Sequence, residues 1–558
     1  MKLLHRTDYL FVGLGVLLVY GLGLFLPILD SDPAFNALVA LRMHQTGNYV
    51  ELYDHFMPYL DKPHLTFWLA AASYKLFGVS AWAYRLPSVL VALLGIYATY
   101  RLGKAAYNRE TGLLAAVILA TTQAFMLGNH DVRMDALLTG LVALAAWQFY
   151  EYLQQGTWRS ILLGGFLAGL AFDTKGMVGV GVVGVALLIE VLHRRAWERL
   201  WSVKVLGGLA AFAVAILPVL WCFYLQFDLH PEQVIAGRRE VSGVWFMLWE
   251  QNFERMSGGR FGKAGAGDPF FFFHTLLWAA LPWSLLLYAS WATRVYRVRQ
   301  VPLPEWFTGG GALACLVLFS LSSFKLPHYL NVLFPLMAVW LAGWLVGTWE
   351  RPHPAQLRFV TVTQWIITVL MLGVAYGLVF WVFGSQLPAW LGGTFVVLGL
   401  LLFRLIFLVK VPLRRALLFS AWGTLLVNLM LNGHVYPALD TYQGGRQLAR
   451  LVEKHQVPMD HLYFTAPSPV YYNLELDAGT LLPPLDREEV VEELYKKKTI
   501  WVITPAEYTP AYVPQGARVK SQHCIDDYHV TRLTGKFLNP ATRSSTLEQH
   551  CLLELERL

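Results

Sequence analysis

The chain is poor in charge and in cysteine, and it carries none of the compact catalytic signatures. Only 15% of its 558 residues are Asp, Glu, Lys or Arg, whereas 56% are apolar. That balance excludes a soluble globular protein, because no interior of this size buries so much apolar side chain. The four cysteines form no CxxC pair, which leaves out zinc ribbons and thioredoxin-type chemistry. There is no nucleophile elbow, no Walker A loop and no HExxH. There is also no internal repeat of the kind that transporters are built from. Any chemistry must therefore rest on carboxylates and basic groups.

The net charge of +7 suggests nucleic acid at first sight, but its distribution argues against it. From residue 435 onward there are 13 Lys and Arg against 16 Asp and Glu, a net of −3, so the preceding part carries +10. That excess lies mainly in short loops between apolar runs, which is the pattern of membrane orientation rather than of a phosphate-tracking surface.

About 13 runs approach the ~20 residues that span a bilayer. They lie at 9–29, 86–103, 112–128, 135–153, 160–174, 176–192, 205–223, 271–292, 307–322, 329–347, 361–383, 389–408 and 416–432. The first is too long for a signal-peptide core and lacks an A-x-A-like site, so it reads as a retained span. Basic clusters then sort the loops. Lys2 and Arg6, Arg101 to Arg109, Arg194 to Lys204, Arg294 to Arg299, and Arg404 to Arg415 fall on one side, which the positive-inside rule makes cytoplasmic. The opposite side receives 30–85, 129–134, 173–175, 224–270, 323–328 and everything after 433. The expected fold is an α-helical polytopic membrane domain over 1–432, with a small soluble α/β domain over 433–558 on the extracytoplasmic side. In the first outer segment a helix is expected over 33–43, lying in the interface, with Asp32 as N-cap and Pro33 at N1. A second short helix is expected over 64–77. In the tail, "HLYFTA" and "TIWVIT" read as strands and 486–498 as a helix. Cys222 and Cys315 read as core packing; Cys524 and Cys551 can pair if the tail is extracytoplasmic.

Five outer segments bring charge to one membrane surface: "DSDPAF", "HDVRMD", "FDTKG", "NFERMSGGRFGK" and "FKLPHY". Ionisable groups are costly there unless solvated or functional. Asp32, with Asp30 beside it, is either a helix cap or a reactive carboxylate. Lys62, between Asp61 and Pro63, is either a snorkelling lysine or a point charge for a phosphate oxygen. Tyr59 donates to the same group or belongs to an aromatic belt. His130, Asp131, Arg133 and Asp135 offer a salt bridge and cap, or a divalent metal site; on a helix Asp131 and Asp135 would share a face. Lys175 stands in the third segment. Arg255, Arg260 and Lys263 form a glycine-rich basic loop, suited to anionic headgroups or to a lid. Lys325 and Tyr329 open the tenth span.

These segments resemble the polytopic C-type glycosyltransferases, in particular the bacterial branch holding aminoarabinose transferase and the protein O-mannosyltransferases. "YLDKPHLTFWLAAASYKLFGVSAWAYRLPSVL" is the most specific match; "SDPAFNALVALRMHQTGNYV", "NHDVRMDALL" and "FSLSSFKLPHYLNVLFPLMAV" follow the family's order. The resemblance covers most of 1–350. It implies sugar transfer from a polyprenyl-phosphate-linked donor to a lipid (lipid A-like) or glycan acceptor, with inversion, on the periplasmic face of a bacterial inner membrane. It implies Asp32 and Asp135 as the catalytic carboxylates, and Tyr59, Lys62, Arg255, Lys325 and Tyr329 as the donor-phosphate pocket. Membrane lipids are the remaining partners, with no nucleic acid; no cofactor is assigned, and a divalent metal stays open. The chain departs from the family in three places. Pro33 stands where a Glu usually follows the Asp, Asn36 replaces a common tyrosine, and His64 replaces the second proline of K-P-P. A protein hydroxyl as acceptor is the alternative within the family. Outside it stand a flippase for an anionic lipid-linked substrate and a membrane scaffold.

Overall fold

A computed structural model describes residues 2–55, 57–235, 237–251, 267–297, 303–465 and 468–558. Among these, nine helices are long and apolar enough to cross a membrane, or ten if one bent pair counts as a span. All 13 apolar runs of the sequence recur as helices, and four of them depart from a simple span. The run 112–128 is a pair, α5 (Arg109–Ala120) and α6 (Gln123–His130), bent by 56°. The run 160–174 lies in α8 (Trp158–Lys175), which carries Arg159, Asp173 and Lys175. The run 271–292 breaks at Pro282 into Phe271–Ala279 and Ser284–Arg297, and 307–322 shortens to Gly309–Ser320. The protein is a polytopic membrane protein.

The spans pack through small residues. In α4 (Ala81–Ala106) a Cβ on Gly95 would lie 2.8 Å from the Cα of Gly140 in α7 (Met134–Gln155). Backbones approach this closely because association in lipid rests on packing rather than on hydrophobicity. The outward faces are apolar: Leu10, Leu14 and Leu17 of α1 (Arg6–Leu24), and Leu206, Leu209 and Leu217 of the helix Val203–Phe223, are exposed. In water that surface would aggregate, whereas in hydrocarbon it is the expected solvent-facing surface. The two rims differ. On one, Arg414 donates to both oxygens of Asp8 at 2.8 Å and Lys204 donates to the Gly156 carbonyl at 2.6 Å. The other rim holds the segments that bear the candidate residues.

On that rim the chain leaves α1 and enters α2 (Ser31–Thr46). Asp30 caps α2, accepting from the Asp32 amide at 3.0 Å. This corrects the expected cap at Asp32, which lies inside the first turn. Nor does α2 lie open on the interface. Ala34, Ala37, Leu38, Ala40 and Leu41 are all buried, between α3 (Leu65–Phe77) and the tail helix Tyr472–Ala478. A short hairpin, β1 (Tyr53–Asp54) with β2 (Met57–Pro58), links the two helices.

The tail builds a four-stranded sheet in the order β3-β4-β6-β5. The strands are β3 (Leu462–Phe464), β4 (Thr499–Pro505), β5 (Ala517–Asp527) and β6 (Glu548–Arg557). The pair β3/β4 is parallel, joined through the helix Arg487–Lys497, and the other pairs are antiparallel. Cys524 and Cys551 are register partners on β5 and β6 and form a disulfide.

Candidate functional site

The site begins with Arg85, which sequence reasoning passed over. It sits on the first turns of α4 with 1% of its surface exposed. Its guanidinium donates to the carbonyls of Leu24 (3.1 Å), Pro27 (2.8 Å) and His130 (2.7 Å), and to that of Leu26. A planar fork with five donors can hold four carbonyls where a lysine cannot. It ties the end of α1 to the end of α6, which sets Asp30 and Asp32 opposite the segment 130–133. The only sign of it in the sequence is an arginine among apolar residues in "AYRLPSVLV".

Arg133 then gathers three carboxylates. Its Nη2 donates to Asp30 at 2.6 Å, its Nη1 to Asp32 at 2.7 Å and its Nε to Asp131 at 3.0 Å. Asp30 is nearly buried, whereas 64% of the Asp32 side chain is exposed, so Asp32 is the member open to solvent. Burial pushes the Asp131 carboxyl up to about 6, against the pull of Arg133. Asp131 precedes α7 and Asp135 lies within it, so the two do not share a helix face as expected. Asp135 instead accepts from Lys175 Nζ with both oxygens at 2.7 Å, and His328 Nε2 lies 3.8 Å from it. Lys175 in turn lies 4.5 Å from the centre of the Tyr329 ring. Among the described residues no group of three or more His, Cys, Asp or Glu is arranged to hold a metal ion.

Asp30, Asp32, Asp131, Arg133 and Asp135 line one cavity of about 720 Å³, roofed by residues 529–533 of the tail. Tyr59, Lys62, Lys175, Lys325 and Tyr329 lie outside that lining. Lys62 pairs with Asp61, whose carbonyl accepts from Gln251. The Tyr59 ring packs on Phe35 and Phe67 with centroids 5.0 Å and 6.3 Å away. Lys325, also buried, donates to the Asp268 carbonyl at 2.8 Å. Arg255, Arg260 and Lys263 fall outside the described residues. His64, at a point of departure from the family, is fully buried; its Nε2 lies 2.8 Å from the Val50 carbonyl and its ring packs on Trp68 and Phe223. Burial pulls this imidazole down to about 4, so it packs as a neutral ring.

Residues 61–221 match the dolichyl-phosphate-mannose-protein mannosyltransferase family. The full architecture is similar to that of ArnT from Cupriavidus metallidurans bound to undecaprenyl phosphate: TM-score 0.71 at 18% identity, covering 98% of this chain and 97% of that one. The chain shares its fold with that enzyme and carries one family-matching segment. The undecaprenyl phosphate-alpha-4-amino-4-deoxy-L-arabinose arabinosyl transferase of Pseudomonas aeruginosa (strain UCBPP-PA14) is 27% identical over 326 residues. That alignment spans 56% of each chain, about half the length of the relative. The enzyme of the same description from Yersinia pestis (strain Pestoides F) is 25% identical over 69% of this chain and 67% of its own. The alignments to these relatives leave much of the chain unmatched, whereas the likeness of fold extends over nearly all of it.

Proposed function

We propose that this protein transfers a sugar from a polyprenyl-phosphate-linked donor to a lipid or glycan acceptor. We place the reaction on the periplasmic face of a bacterial inner membrane, with the tail domain on the same side. One observation carries the reading: an exposed carboxylate, Asp32, is anchored through one oxygen on Arg133 at the rim of a deep cavity, on the charged rim of a C-type fold. Among the described residues its second oxygen accepts from no group, which leaves it for an incoming hydroxyl. Displacement at the anomeric carbon needs that hydroxyl aligned or deprotonated, and needs the departing phosphate stabilised. Asp32 would serve the first need. Lys62, Lys325, Tyr59, Tyr329 and Arg255 would serve the second, as preorganised donors whose attraction grows where water is excluded. Asp135, locked to Lys175, would orient rather than react. Attack opposite the phosphate inverts the anomeric centre. Transfer to a lipid A-like acceptor is favoured by the aminoarabinose transferase relatives, and a protein hydroxyl is the alternative.

The deciding experiment uses the full-length protein in detergent, with radiolabelled polyprenyl-phosphate sugars and a crude envelope acceptor. Wild type should move label to an acceptor and Asp32→Asn should not. A wild type that binds the lipid but consumes no donor across a broad panel would overturn the reading and point to lipid movement instead.

A further inference from the structure

Strands β5 and β6 are antiparallel neighbours, which a loop of about 2–5 residues can join. Residues 528–547 join them instead, and they leave the sheet to do so. Ordering so long a connection costs conformational entropy, so specific contacts must hold it. One face of it is a fastener. Arg543 is 7% exposed and donates through all three of its nitrogens. Nε reaches the Phe537 carbonyl at 2.9 Å, Nη1 the Tyr442 hydroxyl at 3.0 Å and Nη2 the Val382 carbonyl at 2.7 Å. Its guanidinium also lies 4.9 Å from the centre of the Phe383 ring. Val382 ends the membrane helix Pro354–Val382 and Phe383 follows it, so Arg543 seats the connection on that helix. Tyr528 stacks on Phe537 with ring centroids 3.8 Å apart, and Val530 is buried in the apolar cluster that takes in Leu29 and Leu439.

The other face is open. His529, Thr531, Arg532 and Leu533 are exposed, and they line the cavity that Asp32 and Arg133 line from the membrane domain. Buried Val530 stands between His529 and Thr531, so the backbone that the fastener fixes is the backbone that presents these side chains. Lys62, Lys325 and Tyr59, the residues expected at the donor phosphate, do not line this cavity. A molecule under the roof therefore meets Asp32 from the acceptor side. We propose that Arg543 is a positioning residue, which fixes the 528–547 connection so that residues 529–533 wall the acceptor side of the site. The tail domain thereby sets which acceptors reach Asp32. This role in selection rests on the transferase reading, whereas the wall is a matter of access alone. Arginine suits the task because its planar fork holds three acceptors in fixed directions, which an ammonium on a flexible stem does not.

The test uses the full-length protein in nanodiscs without reductant, which keeps Cys524–Cys551 closed. Wild type is compared with Arg543→Lys and with a variant carrying Thr531→Gly, Arg532→Gly and Leu533→Gly, which keeps the fastening face and strips the roof. For labelling, Ser31→Cys in the cavity lining is added to each, and a bulky maleimide–polyethylene glycol is applied. Cys222 and Cys315 are buried, so one label per chain also reports a folded protein. Both variants should label roughly tenfold faster, as when an open fraction of about a tenth becomes the whole. With Ser31 restored, KM for the acceptor should rise roughly tenfold while kcat and KM for the donor hold. Lost stability alone would lower kcat and leave both KM values in place. Wild-type labelling, or an unchanged acceptor KM, in the glycine variant would overturn the wall. Wild-type values in Arg543→Lys would overturn the positioning role. If that variant does not fold, Tyr442→Phe decides: it removes one of the three acceptors and should shift both readouts the same way by less, and wild-type values there would overturn the role. Faster labelling in variants of a protein that consumes no donor would uphold the wall and sink the transferase reading alone.

Discussion

Lys62 and Arg85 are both basic residues near the membrane surface, yet they do opposite work. Lys62 pairs with the adjacent Asp61 carboxylate and remains partly accessible. Lys62→Ala should lower turnover by roughly 10²–10³ while leaving folding intact, as removal of one preorganised electrostatic donor typically does. Steady-state kinetics beside a thermal melt would check this, and normal turnover would remove Lys62 from the phosphate site. Among the described residues Arg85 donates only to carbonyls, and it is buried. Arg85→Met would leave four carbonyls without this donor, two of them buried, at ~1–3 kcal/mol for each that stays buried and unpaired. The expected result is a large drop in thermal stability, with activity lost in proportion to the unfolded fraction. A variant of wild-type stability would contradict the bracing role.

Between elements, the hairpin β1/β2 is clamped to the tail helix Tyr472–Ala478 by one histidine. His55 Nδ1 lies 2.9 Å from Asp54 and Nε2 lies 2.9 Å from Glu475, which is fully buried. Arg42 braces the same point, donating to the His55 carbonyl and stacking 4.3 Å over the Tyr53 ring. Burial alone would lower this imidazole, but hydrogen bonds to Asp54 and Glu475 outweigh it and push the group up from 6.5 to about 9. The folded protein therefore holds the proton more tightly than the unfolded chain. The stabilisation is full below about 6.5, declines as pH rises, and is gone above about 9. Wild type should melt above His55→Asn at pH 6, and the gap should close by about pH 9.5, set by that titration. A gap independent of pH would show that the clamp is not ionic.

Over the whole molecule, the tail and the candidate site share one rim, and the Cys524–Cys551 disulfide bears on which compartment that rim faces. Such bonds persist in oxidising compartments and not in the bacterial cytosol. When intact cells are quenched and treated with a maleimide–polyethylene glycol, the tail thiols should shift in a gel only after reduction; a shift without reduction would place the tail in the cytoplasm. Much of the architecture was already legible in the sequence. Apolar runs near bilayer length located every span, since hydrocarbon tolerates little else. The strands around Tyr463 and Val502 and the helix beginning at Arg487 were readable from local pattern. Strands β5 and β6 were not, because "VKSQHCIDD" and "QHCLLELER" alternate weakly and owe their state to pairing with each other. For the site, local sequence identified Asp30, Asp32, Asp131 and Arg133 as candidates, because charge at a membrane surface stands out against an apolar background. It could not say that Asp135 is locked to Lys175 or that Arg85 braces the ends of two helices. Those depend on contacts between residues 40 to 61 positions apart. Composition and periodicity, which are local, determined the membrane class and the span pattern; only the tertiary structure, which brings distant segments to one rim, decided which charges neutralise one another and which are left to meet a substrate.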